Sequence, residues 1–125
     1  MRICVFGAGV IGSLYAGRLA AAGHELTVVA RGDRLASIER EGIVLEDEPS
    51  GERLAVRVEA APGLDPERSW DVVIVALRKD QLSSALPELA ANRVTPRFVS
   101  MINSADGSRS LAAAVGEARL SLGFP

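Results

Sequence analysis

The stretch ICVFGAGVIG, residues 3–12, decides the fold of this chain. Its first four residues are apolar and predict a short strand, and its glycines follow the G-x-G-x-x-G spacing of a tight turn. Apolar and small residues then recur at helical spacing as far as residue 22, and residues 25–30 predict a second strand. Strand, glycine-rich turn, helix and strand in this order are typical of a βαβ unit that binds a dinucleotide.

Each glycine of the turn has a predicted mechanical role. Gly7 permits the tight turn off the strand, Gly9 lets a pyrophosphate approach the backbone, and Gly12 lets the helix lie close to the first strand. Free N–H groups at the helix start, together with the helix dipole, favour a negatively charged ligand there. A glycine-rich turn that serves only close packing is the alternative, but the position between a strand and a helix favours dinucleotide binding.

The residue at the end of the second predicted strand bears on the choice of dinucleotide. NAD-binding units place an acid about 20 residues beyond the glycines, where it accepts the ribose 2′-hydroxyl. Here Arg31 occupies that region, and a guanidinium can pair bidentately with a 2′-phosphate. NADP (NADPH) is therefore favoured over NAD. An ordinary solvated arginine is the alternative, and Asp33 is explained as the N-cap of the next helix.

Composition limits the classes of function. The chain has 125 residues, 48% of them hydrophobic, which suits one domain with one core. Its 14 basic and 16 acidic residues give no indication of a nucleic-acid or membrane-surface partner. The single Cys4 lies in the first strand and is expected to be a buried thiol, which fits a reducing compartment. Since no stretch is apolar enough to span a bilayer, we expect a cytoplasmic protein.

The rest of the chain alternates predicted helices and strands. Strands are predicted at residues 43–46, 54–58, 71–77, 97–102 and 119–123, and helices at residues 34–41, 81–91 and 108–115. The first two of these strands form a hairpin, residues 60–67 and 103–107 are predicted loops, and Pro87 is expected to kink or split its helix. The pattern predicts an α/β fold over residues 1–125: a Rossmann-type, doubly wound, mostly parallel sheet with one hairpin.

The chain resembles the N-terminal domain of the ketopantoate reductases (2-dehydropantoate 2-reductases). The resemblance is carried by residues 1–12, 16–19, 23–24, 28–31, 70–77 and 85–87, together with Gln81. It implies the NADP-binding domain of an oxidoreductase of pantothenate biosynthesis, which reduces a small 2-oxo acid with NADPH. It implies no nucleic-acid or membrane partner and is compatible with an oligomer.

The resemblance also implies individual site residues. The family's Lys-x-x-Gln motif corresponds to Arg78 and Gln81, and the Asn of its Asn-Gly motif, near the nicotinamide ribose and substrate, corresponds to Asn103, with Ser104 in place of the glycine. Asn103 is thus the expected substrate-binding residue. These positions follow predicted strand ends, where ligands bind in open α/β sheets. The expected cofactor-binding residues are Gly7, Ala8, Gly9, Val10, Ile11, Gly12, Arg31, Leu77, Arg78, Gln81 and Asn103.

Catalytic residues are not expected within residues 1–125. The resemblance places the catalytic lysine and a substrate-binding glutamate in a second, helical domain, so a truncated chain that binds cofactor but catalyses little is expected. No metal set is expected, and His24 is interpreted as a cap or solvent residue. Two alternatives stay open: a stand-alone dinucleotide-sensing module, and the cofactor domain of another two-domain dehydrogenase.

Overall fold

A computed structural model of the chain describes residues 1–47, 49–102 and 104–123. Within these residues, strands and helices alternate along most of the chain. The strands are β1 (Arg2–Phe6), β2 (Glu25–Val29), β3 (Ile43–Glu46), β4 (Arg53–Val56), β5 (Glu59–Ala61), β6 (Val72–Val75), β7 (Phe98–Ser100) and β8 (Leu120–Leu122). The helices are α1 (Val10–Ala21), α2 (Gly32–Glu41), α3 (Lys79–Ala91) and α4 (Ala105–Val115), followed by a 3₁₀ turn at Glu117–Arg119.

Six strands form one parallel sheet in the order β5-β2-β1-β6-β7-β8, and β3 and β4 form a separate antiparallel hairpin. The chain builds outward from β1 on one side, then returns to add β6, β7 and β8 on the other side. The predicted α/β, Rossmann-type fold with one hairpin is therefore confirmed. Phe6 pairs with both Val29 and Val75, so β1, β2 and β6 end together at the crossing point where such sheets bind ligands.

The sheet separates two hydrophobic layers. Cys4 and Phe6 of β1 face one layer, which also holds side chains of α3 and α4, while Ile3 and Val5 face a second layer with α1, α2 and the hairpin. This alternation follows from the two-residue period of a strand. Because β1 is buried on both faces, its residues form the continuous apolar run seen in the sequence.

The β3–β4 hairpin packs on the outer face of α1. A Cβ atom at Gly17 would lie 2.7 Å from Leu45 Cδ1 and 3.1 Å from Ile43 Cγ2. Gly17 therefore allows the hairpin to approach the backbone of α1 closely. Helix α1 thus contacts both the sheet and the hairpin, while residues such as Val10 and Leu14 face solvent.

Two predicted boundaries near the second strand were wrong. Residues 60 and 61 were predicted as loop, but they belong to β5, which pairs with Thr27 to Val29 at the edge of the sheet. This three-residue strand is stabilised by its neighbour rather than by its own sequence pattern. Helix α2 begins at Gly32 with Arg31 as its N-cap residue, so Asp33 lies in the first turn and is not the N-cap. There it still complements the positive end of the helix dipole.

Two later helices are longer than predicted. Helix α3 begins at Lys79 and continues through Pro87, so the proline does not split it. Helix α4 begins at Ala105, within the region predicted as loop, because the Ser104 hydroxyl accepts a hydrogen bond from the Gly107 N–H at 3.2 Å. No helix in the described part of the chain is long and apolar enough to cross a bilayer.

Candidate dinucleotide-binding site

The glycine turn between β1 and α1 is closed tightly on itself. Gly7 has φ +111°, which favours glycine, and a Cβ there would lie 2.6 Å from the Ala76 carbonyl oxygen. A Cβ at Gly12 would overlap the Gly7 carbonyl oxygen. At Gly9, by contrast, an added Cβ would meet no atom within 4 Å. The turn thus requires glycine at its two ends for packing, and its middle position faces open space.

Helix α1 begins directly at this turn without a side-chain cap. Its N-cap residue is Gly9, and its first turn contains no acidic residue. The Ser13 N–H donates to the Gly9 carbonyl at 2.9 Å, whereas the N–H groups of residues 10–12 have no hydrogen-bond partner among the described residues. Three backbone donors and the positive end of the helix dipole therefore meet at one point, which suits an anion.

A cavity of about 700 Å³ lies over the carboxyl ends of β1, β2 and β6. The predicted site residues that line it are Gly7, Ala8, Gly9, Val10, Ile11, Arg31, Leu77, Arg78 and Gln81. Gly12 does not line the cavity and lies behind the turn, where it packs against Gly7. Asn103 lies outside the described residues. The fold thus brings together residues from the turn, the end of β2 and the start of α3.

Arg34 also lines the cavity and was missed by the sequence analysis. Its Nε donates to the Ala8 carbonyl at 3.0 Å and its Nη2 to the Ser13 hydroxyl at 2.7 Å, and Ser13 in turn donates to the Ala8 carbonyl at 3.1 Å. Both partners of Arg34 are neutral, and it forms no ion pair with any described residue. Its position one helical turn after Arg31 is the signal that could have identified it.

Arg31 lies at the rim of the cavity with its side chain 61% exposed. Its Nε donates to the Pro62 carbonyl at 3.2 Å, and its Nη2 forms an ion pair with Glu88 of α3. The other carboxylate oxygen of Glu88 accepts the Leu64 N–H at 2.6 Å. Sequence reasoning missed Glu88, since it stands far from Arg31 in the chain and no local motif marks it.

Arg78 and Gln81 lie at the start of α3. The Arg78 backbone N–H donates to Gln81 Oε1 at 3.0 Å, so the amide oxygen of Gln81 caps the helix and its amino group remains available as a donor. The Arg78 side chain is exposed, with its Nε 3.4 Å from Asp80. Both residues also line the cavity, so their role at the start of the helix is compatible with a role in ligand binding.

The remaining candidate residues lie away from the cavity. His24 Nδ1 is 3.3 Å from the N-terminal amine, near the amino ends of the strands. Cys4 is fully buried, and desolvation raises the pKa of its thiol to about 12, which makes it unreactive. Among the described residues, no cluster of His, Cys, Asp and Glu could hold a metal ion.

The sheet order, the glycine turn and the cavity over the strand ends define a Rossmann-like domain of the dinucleotide-binding type. The chain belongs to the ketopantoate reductase PanE/ApbA family, whose family model matches residues 3–124. It corresponds to the N-terminal domain of these dinucleotide-binding oxidoreductases.

Curated relatives carry the name 2-dehydropantoate 2-reductase. The protein from Mesorhizobium japonicum is 38% identical over 91 residues, which are 72% of this chain and 27% of the relative. The protein from Pyrococcus horikoshii is 30% identical over 86 residues, or 69% of this chain and 27% of the relative. The matched part of the chain thus spans about a quarter of the length of these relatives.

Solved structures share the fold. The PanE/ApbA family ketopantoate reductase from Ralstonia eutropha matches with a TM-score of 0.78 and 26% identity, covering 98% of this chain and 40% of that chain. D-mandelate dehydrogenase, solved with NADH and anilino(oxo)acetate, matches with a TM-score of 0.84 and 18% identity, covering 99% of this chain and 40% of that chain. At the latter identity, the likeness shows the fold alone.

Proposed function

We propose that the cavity binds NADP(H), and that the chain supplies the cofactor-binding part of an enzyme that reduces a 2-oxo acid with NADPH. The observation that carries this proposal is the uncapped start of α1, which opens through a bare glycine turn into a cavity that is also lined by three arginines, Arg31, Arg34 and Arg78. Backbone donors, a helix dipole and arginines at one point favour a ligand with several phosphates.

The glycine turn would hold the pyrophosphate. The open space at Gly9 admits it to van der Waals distance of the backbone, and the N–H groups of residues 10–12 can donate to its oxygens. Arg34 lies against the same turn and adds an uncompensated positive charge. Gly12 contributes indirectly, because it keeps α1 against Gly7 and so fixes the position of the donors.

The other cavity residues would bind the two ends of the cofactor. Arg31, at the end of β2, would pair with the 2′-phosphate of the adenosine ribose. Leu77, Arg78 and Gln81 would contact the cofactor from the β6–α3 side, where the Gln81 amino group can donate to a ribose or phosphate oxygen. Asn103 remains a proposed nicotinamide-ribose and substrate-binding residue on the strength of the family resemblance.

Bound NADPH would supply the hydride, so the chemistry of reduction belongs to the cofactor. The residues of this chain bind and orient it, and we propose none of residues 1–125 as a catalytic group. In the family resemblance, the proton donor and a substrate-binding acid belong to a further helical domain. The activity of the whole enzyme on a 2-oxo acid is therefore part of the proposal.

Gly9→Ala tests the site without disturbing the fold. Gly9 has φ −75°, which any residue can adopt, and an added methyl group meets no protein atom. We expect an unchanged thermal midpoint, but NADPH binding weakened by at least about tenfold in isothermal titration, because the methyl group occupies pyrophosphate space.

Three results would contradict parts of the proposal. Wild-type protein that binds neither NADPH nor NADH at millimolar concentration would overturn the dinucleotide site. Equal or tighter binding of NADH would overturn the assignment of NADP, while Gly9→Ala binding as well as wild type would remove the glycine turn from the site.

A further inference from the structure

Glu88 of α3 lies directly behind the arginine to which the proposed function gives the 2′-phosphate. We infer that Glu88 is a specificity-determining residue: its carboxylate competes with the 2′-phosphate for Arg31 and thereby limits the preference for NADPH over NADH. This inference rests on the proposed function. It concerns a residue that does not line the cavity and acts only through Arg31.

The carboxylate of Glu88 is fixed in place from both sides. One oxygen pairs with Arg31 Nη2, and the other accepts the Leu64 N–H at 2.6 Å. Gly63 also lies close, since a Cβ there would be 3.1 Å from the same oxygen. The side chain is 25% exposed, compared with 61% for Arg31. When a ligand binds, the arginine is therefore free to move, while the carboxylate stays beside it.

The hydrogen bonds of Arg31 occupy one edge of its guanidinium. The Nε and Nη2 groups, which form the side-on edge, donate to the Pro62 carbonyl and to Glu88. A 2′-phosphate must then either bind the remaining end-on edge, close to a second negative charge, or displace Glu88 and leave its carboxylate without its cation. Both routes weaken phosphate binding, because the charge of Arg31 is already compensated.

Arg34 lines the same cavity, but no acidic side chain among the described residues compensates its charge. Its side-on edge donates to the Ala8 carbonyl and the Ser13 hydroxyl, both of which are neutral. An anion near Arg34 therefore meets the full charge of a guanidinium. The difference between the two arginines lies in one acid, and that acid stands at the end of the cavity where NADPH and NADH differ.

The decisive variant is Glu88→Gln. It keeps an amide oxygen to accept the Leu64 N–H but removes the negative charge beside Arg31. We expect NADPH to bind about three- to fivefold more tightly, as the loss of an exposed ion-pair competitor predicts. NADH lacks the 2′-phosphate, so its affinity should change less than about twofold. The fragments 2′,5′-ADP and 5′-AMP should show the same contrast.

Three further variants make the test specific. Glu25→Gln removes the same charge at the opposite end of β2 and should change neither affinity. In an Arg31→Gln background, Glu88→Gln should lose most of its effect, because Glu88 acts through Arg31. Glu88→Asp withdraws the carboxylate from Arg31 by one methylene. It should therefore also raise the affinity for NADPH, and it replaces Glu88→Gln in the test if that variant folds poorly.

The outcomes separate this inference from the proposed function. A wild-type protein that binds neither coenzyme overturns both. The inference alone is overturned if the wild-type protein binds NADPH but the Glu88 variants show no rise in their preference for NADPH, measured as the ratio of the affinities for NADPH and NADH. A lower ratio would mean that Glu88 holds Arg31 in position for the phosphate rather than competing with it.

Discussion

Arg34→Met tests whether the guanidinium against the glycine turn acts on the pyrophosphate. The substitution keeps much of the aliphatic length but removes the charge and the hydrogen bonds to Ala8 and Ser13. Because NADPH and NADH share the pyrophosphate, both should lose affinity by the same factor. Arg31→Met, at the rim, should instead weaken NADPH and leave NADH nearly unchanged.

The size of the effect follows from the position of Arg34. Its guanidinium is 3.0 Å from the Ala8 carbonyl of the turn, and we assume a separation of about 5 Å from a phosphate held by the N–H groups of residues 10–12. Two unit charges at about 5 Å contribute about 3 kcal/mol at an effective dielectric constant of 20. Partial exposure of Arg34 and screening by salt reduce this to about 1.5 kcal/mol, or roughly tenfold in the dissociation constant.

Isothermal titration of each variant with both coenzymes at a fixed salt concentration measures these factors. Arg40→Met is the matched control, since Arg40 stands at the other end of α2, is exposed and does not line the cavity. Loss of NADPH binding with NADH unchanged in Arg34→Met would refute the reasoning, because Arg34 would then act on the 2′-phosphate. If Arg34→Met bound each coenzyme as tightly as the wild type does, Arg34 would not be part of the site.

Three further predictions concern stability and reactivity. Gly12→Ala should lower the free energy of unfolding by at least about 2 kcal/mol in urea titrations, because its methyl group overlaps the Gly7 carbonyl oxygen; stability equal to wild type would mean that the turn can open. A hydrogen bond from Arg68 lowers the pKa of Glu59, so this carboxylate stabilises the folded state above its unfolded pKa and the contribution is lost as the pH falls through the lower folded pKa. Between about pH 5 and pH 3, the free energy of unfolding should therefore fall less in Glu59→Gln than in the wild type. The difference should be less than about 1 kcal/mol because Glu59 is exposed, and identical pH profiles of the two proteins would contradict this. Cys4 should react with a thiol reagent at pH 8 only at the rate of unfolding, since burial raises its pKa to about 12, and fast labelling of the native protein would show that β1 opens locally.

The parts of the fold that were predicted correctly are those with local sequence signals. Residues 3–12 contain an apolar run, a glycine spacing and a helical pattern in one stretch, and all three appear in the structure. Strand β6 was predicted from its run of β-branched residues. By contrast, β5 is a three-residue edge strand whose pairing with β2 supplies what its sequence lacks. Ser104 was predicted within a loop, and its role as the N-cap of α4 appears only once the hydrogen bond from Gly107 is seen.

The sequence predicted only those residues of the candidate site that come soon after a predicted strand or belong to a known motif. Arg31 and Arg78 come soon after β2 and β6, which end at the same edge of the sheet, and Gln81 lies in the first turn of the helix that follows β6, so their convergence in the cavity could be anticipated. Arg34 was missed because it lies one turn inside a helix, and Glu88 because only the folding of α3 against the loop at residues 62–64 brings it to Arg31. The contact of Glu88 with Arg31 depends on tertiary structure and leaves no local pattern.

The hairpin on the outer face of α1 has a consequence for the entropy of ligand binding. With Leu45 and Ile43 against Gly17 on one side and the sheet on the other, the helix cannot tilt or slide without breaking buried contacts. We therefore expect its amino end to stay in the same place when an anion binds. The protein has already lost this freedom during folding, so association need not order the donors again, and more of the interaction free energy appears as affinity.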